Sequence, residues 1–309
     1  MNELLERAET TRAAEIQTIP DGLISRLYGC PVIHRLIPTP LALGLARIRG
    51  ALEWWLVRSR RESALGIAST TLGRPGDSPE ARRLGRRYLE EKAMQGEFSW
   101  RPWAARKMEI EGSEHLREAE SGGKGVLLAG MHFGPLLSFH LAAAEMGFKL
   151  YISGGHRPEE GAIPGYTGRW TKAQNLWQEA SGNRWVHLGN SYPVLREVLL
   201  HGGICWLAWD TLGGAVSTTT YLGRTIRVQP GIARLHLETG APILPTITLR
   251  DRAKMRSVVC PPVDLPEGAG EKEINDAIGR VMTDLVSPHL AQLHYQSAEL
   301  FRQGRSGPQ

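Results

Sequence analysis

The chain is poor in cysteine and has no cysteine pattern. Cys30, Cys205 and Cys260 are its three cysteines in 309 residues, odd in number and far apart. That excludes a disulfide framework or a paired-cysteine zinc site and fits a reducing compartment. No stretch of about 18 uninterrupted apolar residues exists, so no membrane-spanning helix is expected. The first residues, Met1-Asn-Glu-Leu-Leu-Glu-Arg7, are acidic and helical in pattern. They lack the basic-then-apolar order of a signal peptide. Familiar chemical signatures are missing as well: no G-x-S-x-G elbow, phosphate-binding P-loop, G-x-G-x-x-G after a strand or H-E-x-x-H. There is no zinc-finger spacing, RNP-like run or long basic tail, so nucleic acid is not the expected partner. No metal site and no internal repeat is found.

The composition is that of a folded chain. Hydrophobic residues make up 41%, enough for a sizeable core. The net charge is +5 and the sequence pI about 9.2. Arginines at 47–61, 82–87 and 101–107 carry much of the positive charge. That balance suits anionic partners: phospholipid headgroups, an acidic carrier protein or the phosphates of coenzyme A.

Periodicity divides the chain into a helical region over 1–100, an α/β region over 101–300 and a Gly/Ser/Pro-rich tail over 301–309 that is expected to be disordered. Residues 2–16 look like a polar helix or a frayed arm. Residues 41–57 form an amphipathic helix with Trp54 and Trp55 side by side and Arg58, Arg60 and Arg61 behind it. Two environments fit this pattern: an interfacial membrane helix, or a helix docked on the protein's own core with both tryptophans buried. Ser78 is placed to cap a basic helix over 79–96. After Pro102, apolar runs at 125–131, 148–153, 184–189, 204–209, 242–249 and 256–263 alternate with helical patterns. These fall at 135–146, 167–181, 191–201, 231–240 and 271–300. The alternation predicts an α/β fold with a mixed, mainly parallel central sheet flanked by helices. A hairpin is expected over 217–228, turning at Gly223-Arg224.

In open α/β sheets ligands bind beyond the carboxyl ends of strands. His132 closes the run 125–131, the loop Ser153-Gly-Gly-His156-Arg157 follows 148–153, and Asp210 follows Cys205-Trp-Leu-Ala-Trp209. A histidine and an aspartate at two strand ends can face each other, the acid fixing the imidazole tautomer and stabilising the imidazolium. The alternatives are a satisfied core histidine and a turn or N-cap aspartate. Arg169 and Arg224 lie among turn residues, where a guanidinium fork binds phosphate or carboxylate. Surface salt bridging is the commoner fate of such arginines. His140 and Glu145 share one helix, but five residues turn about 140°, so they diverge.

A resemblance enters with three blocks. They are His132-Phe-Gly134 after a strand, the run Leu199 to Asp210, and Tyr221-Leu-Gly-Arg-Thr-Ile-Arg-Val-Gln-Pro-Gly continuing to Ala241-Pro-Ile-Leu-Pro245. Over roughly 40–295 the chain resembles the lysophospholipid acyltransferase superfamily, in its branch of lipid A late acyltransferases and phosphatidylinositol mannoside acyltransferases. The resemblance implies transfer of an acyl group from an acyl carrier protein or coenzyme A thioester to a hydroxyl or amine. No cofactor beyond that co-substrate is implied. It places the general base on His132, with Gly134 in the same block, a site acid on Asp210 and an acceptor- or phosphate-binding arginine on Arg169. It also implies a cytoplasmic location, with peripheral contact at the inner membrane face through 41–61. The branch keeps an acid five residues after its histidine, and here that position is Leu137. Three expectations follow: an acyltransferase in which Asp210 or another carboxylate serves His132, one whose acceptor, such as an amine, needs less activation, or a chain of the same fold that binds without this chemistry or does different chemistry in the same cleft.

Overall fold

Helices come first, each started by a proline or a cap. The computed structural model describes residues 30–154, 168, 172, 178, 181–187, 191–211, 216–251 and 254–303. α1 (Pro31–Leu36) and α2 (Thr39–Leu56) carry proline in their first turn, where the missing N–H is no loss. α3 (Arg58–Leu72) ends on Gly73 in the left-handed conformation. α4 (Pro79–Phe98) begins where Ser78 was expected to cap it, and the Ala81 N–H donates to Ser78 Oγ at 3.2 Å. α5 (Pro102–Ala105) is a single turn.

The alternating region follows: β1 (Glu109–Glu111), α6 (Ser113–Ser121), β2 (Val126–Gly130), α7 (Leu137–Glu145), β3 (Leu150–Gly154), β4 (Arg184–His187), α8 (Ser191–Leu200) and β5 (Ile204–Ala208). Then come the hairpin β6 (Ser217–Tyr221) and β7 (Arg224–Val228), α9 (Gly231–Thr239), β8 (Ile243–Asp251), β9 (Lys254–Val259) and α10 (Glu271–Val286). A 3-10 turn (Ser287–Gln292) leads into α11 (Tyr295–Gln303).

Seven strands form one sheet in the order β1-β9-β8-β2-β5-β3-β4. β8, β2, β5, β3 and β4 run parallel, and β9 is antiparallel to β8. The fold is therefore α/β with a mixed, mainly parallel sheet. Parallel strands are covered on both faces and so read as continuous apolar runs; β2 is buried at every residue. One face carries Leu127, Met131 and Trp209 against Ile274, Ile278 and Met282 of α10. The other carries Leu128, Ile152 and Trp206 against Phe139 and Ala143 of α7, and this cluster extends to Phe98 of α4 and Leu43 of α2. The first helices thus share a core with the sheet.

Several boundaries differ from the sequence reading. The pattern over 271–300 is not one helix: it breaks after Val286 into a 3-10 turn containing Pro288, which has no N–H to continue the ladder. The hairpin turns at Leu222-Gly223, both with positive φ, and Arg224 already belongs to β7. That pair of positive φ values matches the twist of the flanking strands. β9 stops at Val259, and β1, three residues long, gave no signal of its own. α11 carries ordered helix through Gln303, into the stretch expected to be tail. Residues 2–16 and 304–309 lie outside the described residues, as does the 167–181 helix apart from Gly168, Lys172, Gln178 and Ser181.

Candidate active site

β2 and β5 are sheet neighbours although β3 and β4 separate them in sequence. Their register pairs Gly130 with Ala208, and the Trp209 N–H donates to the Gly130 carbonyl at 2.8 Å. Two residues past each strand, His132 and Asp210 emerge side by side on the same sheet face. His132 Nδ1 lies 2.9 Å from Asp210 Oδ1. The backbone N–H of His132 also donates to the carboxylate, 3.1 Å from Oδ1 and 3.0 Å from Oδ2.

Asp210 is fully buried, whereas a quarter of the His132 side chain reaches solvent. Burial pushes the Asp210 carboxyl up. The charge of His132 and hydrogen bonds from His132 and Ser297 outweigh it, and the carboxyl stays below its ordinary value. An ionised Asp210 beside Nδ1 favours the tautomer that carries its proton on Nδ1, so that in a neutral ring Nε2 is the basic nitrogen.

A segment far along the chain holds this pair. Ser297 Oγ, fully buried, contacts Asp210 Oδ2 and lies 2.9 Å from the His132 carbonyl. The His294 N–H donates to the His132 carbonyl at 3.0 Å, and His294 Nε2 lies 2.8 Å from the Gly134 carbonyl. Burial pushes the His294 imidazole down to about 4, helped by the charge of His132, so it is neutral and donates through Nε2. The Gly134 N–H donates to the Gln292 carbonyl at 2.9 Å. Gln292 is pinned in turn: its side-chain amide accepts from the Arg250 N–H and donates to the Arg250 carbonyl, both at 2.8 Å. Gln95 of α4 donates to the Gln292 carbonyl at 3.2 Å. Gly134 itself has φ +52°, and a Cβ there would stand 2.1 Å from the Thr248 carbonyl oxygen. Only glycine permits that approach.

The other expected residues fall differently. Leu137 opens α7 and, being apolar, cannot bond the His132 ring; the carboxylate on that ring is Asp210. Arg224 does not present its guanidinium to a ligand as expected. Nη1 donates to the carbonyls of Thr70 and Thr71, Nη2 to that of Phe301, and the group stacks over the Phe301 ring at 4.4 Å. It caps the last turns of α3 and α11, where unpaired carbonyls attract a cation. His156, Arg157 and Arg169 lie outside the described residues. Ser297 and His294 were not legible in the sequence, because both sit in a stretch whose pattern reads as uninterrupted helix. Among the described residues no cluster of three or more metal-ligating side chains occurs.

An imidazole with a buried carboxylate on one nitrogen and a lone pair on the other is built to take a proton from a hydroxyl or amine. No curated protein matches the chain. Residues 101–297, nearly two thirds of the chain, match the family described as bacterial lipid A biosynthesis acyltransferase, and the match runs from the end of α4 to Ser297 itself. The chain therefore belongs to the bacterial lipid A biosynthesis acyltransferase family.

Proposed function

We propose that the chain transfers an acyl group from an acyl carrier protein or coenzyme A thioester to a hydroxyl or amine, with His132 as general base and Asp210 as its acid. The 2.9 Å contact between His132 Nδ1 and Asp210 Oδ1 carries this reading. It supplies from β5 the carboxylate that position 137 lacks. His132 Nε2 takes the acceptor's proton as the acceptor oxygen or nitrogen attacks the thioester carbonyl carbon. The tetrahedral intermediate collapses with loss of the thiolate. The imidazolium, stabilised by Asp210, returns its proton to the sulfur. Protons and charge balance without a further co-reactant. A binding subunit that has lost its catalytic pair is disfavoured by the same contact.

The reading extends to a membrane surface. Among the described residues no helix is long and apolar enough to cross a membrane. α2 nevertheless exposes Leu41, Leu45, Ile48, Leu52, Trp55 and Leu56, spaced by three and four residues along one face. Trp54 is 6% exposed and packs inward, and Trp55 is 64% exposed. Arg47 and Arg58 stand beside the stripe, largely exposed and paired with Glu90 and Glu62. That combination suits the headgroup region of a bilayer containing anionic lipid.

The test incubates the purified chain with labelled acyl-carrier-protein and coenzyme A thioesters and follows acyl transfer to hydroxyl and amine acceptors. We expect His132→Ala to abolish transfer. Asp210→Asn should lower kcat by roughly 10²–10⁴-fold while KM changes little. Wild-type rates in His132→Ala would refute the assignment.

A further inference from the structure

Tyr221 and Arg224 are cross-strand partners at the closed end of the β6–β7 hairpin, on either side of Leu222-Gly223. Tyr221 is fully buried. The Trp209 indole meets its ring edge-on, with centroids 5.6 Å apart. The Phe301 ring stacks on it at 5.6 Å, with 10° between the planes. Trp209 immediately precedes Asp210, and Phe301 stands about one helical turn after Ser297 on the same helix. The hairpin end therefore touches both segments that meet at the Asp210 carboxylate, the end of β5 and α11.

The hairpin is itself fixed, and by a different helix. The Thr219 hydroxyl donates to Asp276 Oδ1 at 2.8 Å and the Leu222 N–H to Thr283 Oγ1 at 3.0 Å, both acceptors on α10. Between them Gly279 lets α10 lie directly on the strand, since a Cβ there would stand 2.6 Å from the Thr220 carbonyl oxygen. The Trp209 indole N–H donates to Asn275 Oδ1 at 3.2 Å, so the end of β5 is tied to the same helix. Leu222 has φ +48°, a left-handed conformation that a leucine rarely adopts. Its bond to Thr283 ties the turn to α10 in that shape.

α11 depends on its neighbours for its position. It has nine residues, and helices that short are marginal alone. Ala298, Leu300 and Phe301 bury it against the core. Apolar contact is non-directional, so it resists a slide along the helix axis only weakly. The Arg224 guanidinium supplies the direction. Nη2 donates to the Phe301 carbonyl at 3.1 Å, the group lies 4.4 Å from that residue's ring, and Nη1 reaches the Thr70 and Thr71 carbonyls at the end of α3. One planar fork on a fixed hairpin thus sets where two helix ends lie. A hydrogen bond weakens steeply away from its ideal geometry, so a displacement of about 1 Å at Ser297 removes its contact with Asp210.

We propose that Arg224 is a positioning residue of the catalytic pair: it holds the α11 backbone at Phe301 and so keeps the Ser297 hydroxyl on Asp210 Oδ2. Its catalytic effect rests on the acyl-transfer reading; its hold on α11 does not, and is measured separately. Arg224 acts through Ser297 and touches no reacting atom. Lysine at this position keeps the charge and loses the fork, so it replaces part of the hold. Alanine removes both.

The experiment uses the full chain and has two arms. The first measures acyl transfer from a coenzyme A thioester in Arg224→Ala, Arg224→Lys, Ser297→Ala and the double variants. Arg224→Ala is expected to lower kcat about tenfold with little change in KM, and Arg224→Lys to lower it less. Because Arg224 acts through Ser297, adding Arg224→Ala to Ser297→Ala is expected to change kcat by no more than about twofold. Losses that multiply in the double variant, or an intact kcat in Arg224→Ala, overturn the proposal. The second arm follows backbone hydrogen exchange by mass spectrometry. In Arg224→Ala, exchange over 295–303 is expected to quicken about tenfold or more while β2 and β5 keep the wild-type rate. Wild-type exchange over 295–303 overturns the proposal whatever the kinetics. If the wild-type chain transfers no acyl group, the acyl-transfer reading falls and the exchange arm alone decides whether Arg224 holds α11. If Arg224→Ala does not fold, Arg224→Lys carries both arms with the same criteria, at a smaller expected effect.

Discussion

Asp210 carries the charge that Leu137 does not, and three donors share it. His132 contributes its ring and its backbone N–H, and Ser297 contributes a hydroxyl. The second oxygen, Oδ2, is held by the His132 N–H and by Ser297 together, so Ser297 helps to orient Asp210 as well as to stabilise it. Removing a hydrogen bond to a buried charge costs about 1.5–3 kcal/mol. Ser297→Ala is therefore expected to lower kcat about tenfold or more with little change in KM, and Ser297→Thr to restore part of it. A loss confined to melting temperature, with kcat intact, would reduce Ser297 to a packing residue. Half of this arrangement was legible in advance. His132 and Asp210 each close an apolar run, and strand ends are where α/β sheets hold their chemistry. That β2 and β5 are neighbours was not legible, because register between strands separated by two others leaves no mark in either. Ser297 was hidden more deeply, since a serine in a helical pattern looks the same whether it faces solvent or a carboxylate.

α2 shows how far a pattern reaches at the scale of an element. Its period was readable, and so was the existence of an apolar face. Which apolar residues turn inward was not, since the helix carries two stripes. Ala42, Leu43, Ala46, Gly50 and Trp54 pack inward toward α4 and the sheet cluster. Leu45, Ile48, Leu52 and Trp55 face out. Docking on the core and presenting an apolar surface, posed as alternatives in the sequence, are two sides of one helix. Charges introduced on the outer stripe leave the inner packing alone. Ile48→Glu with Leu52→Glu is expected to abolish flotation with anionic liposomes and shift the melting temperature by no more than about 2 °C, as surface changes do. Equal flotation of the double variant and wild type would remove α2 as the contact. The opposite lesson comes from 271–300: apolar spacing continued across Pro288, and the break there is what frees His294 and Ser297 to approach the site.

For the molecule as a whole, two buried neutral histidines set the response to acid. Burial holds His140 down at about 3, and burial with the charge of His132 holds His294 down at about 4. An unfolded histidine takes its proton near pH 6.5, so between that value and the folded ones the unfolded chain binds more protons. Stability must then fall as the pH drops from about 6.5 toward 3. Asp210, whose carboxyl is held low, adds a loss only as the pH falls through its own folded value. Urea midpoints are expected to be lower at pH 5 than at pH 7.5, and His140→Phe to narrow the difference. Equal midpoints at the two pH values would show that these histidines do not govern it. The Ser297 clasp has a consequence in time. His132, Asp210 and Ser297 come from the start, middle and end of the α/β region, and Ser297 follows all nine described strands. During synthesis a chain folds from its amino end as it emerges. The last donor to Asp210 is therefore made after every described strand, and the carboxylate gains its full set of partners only when the closing helix docks.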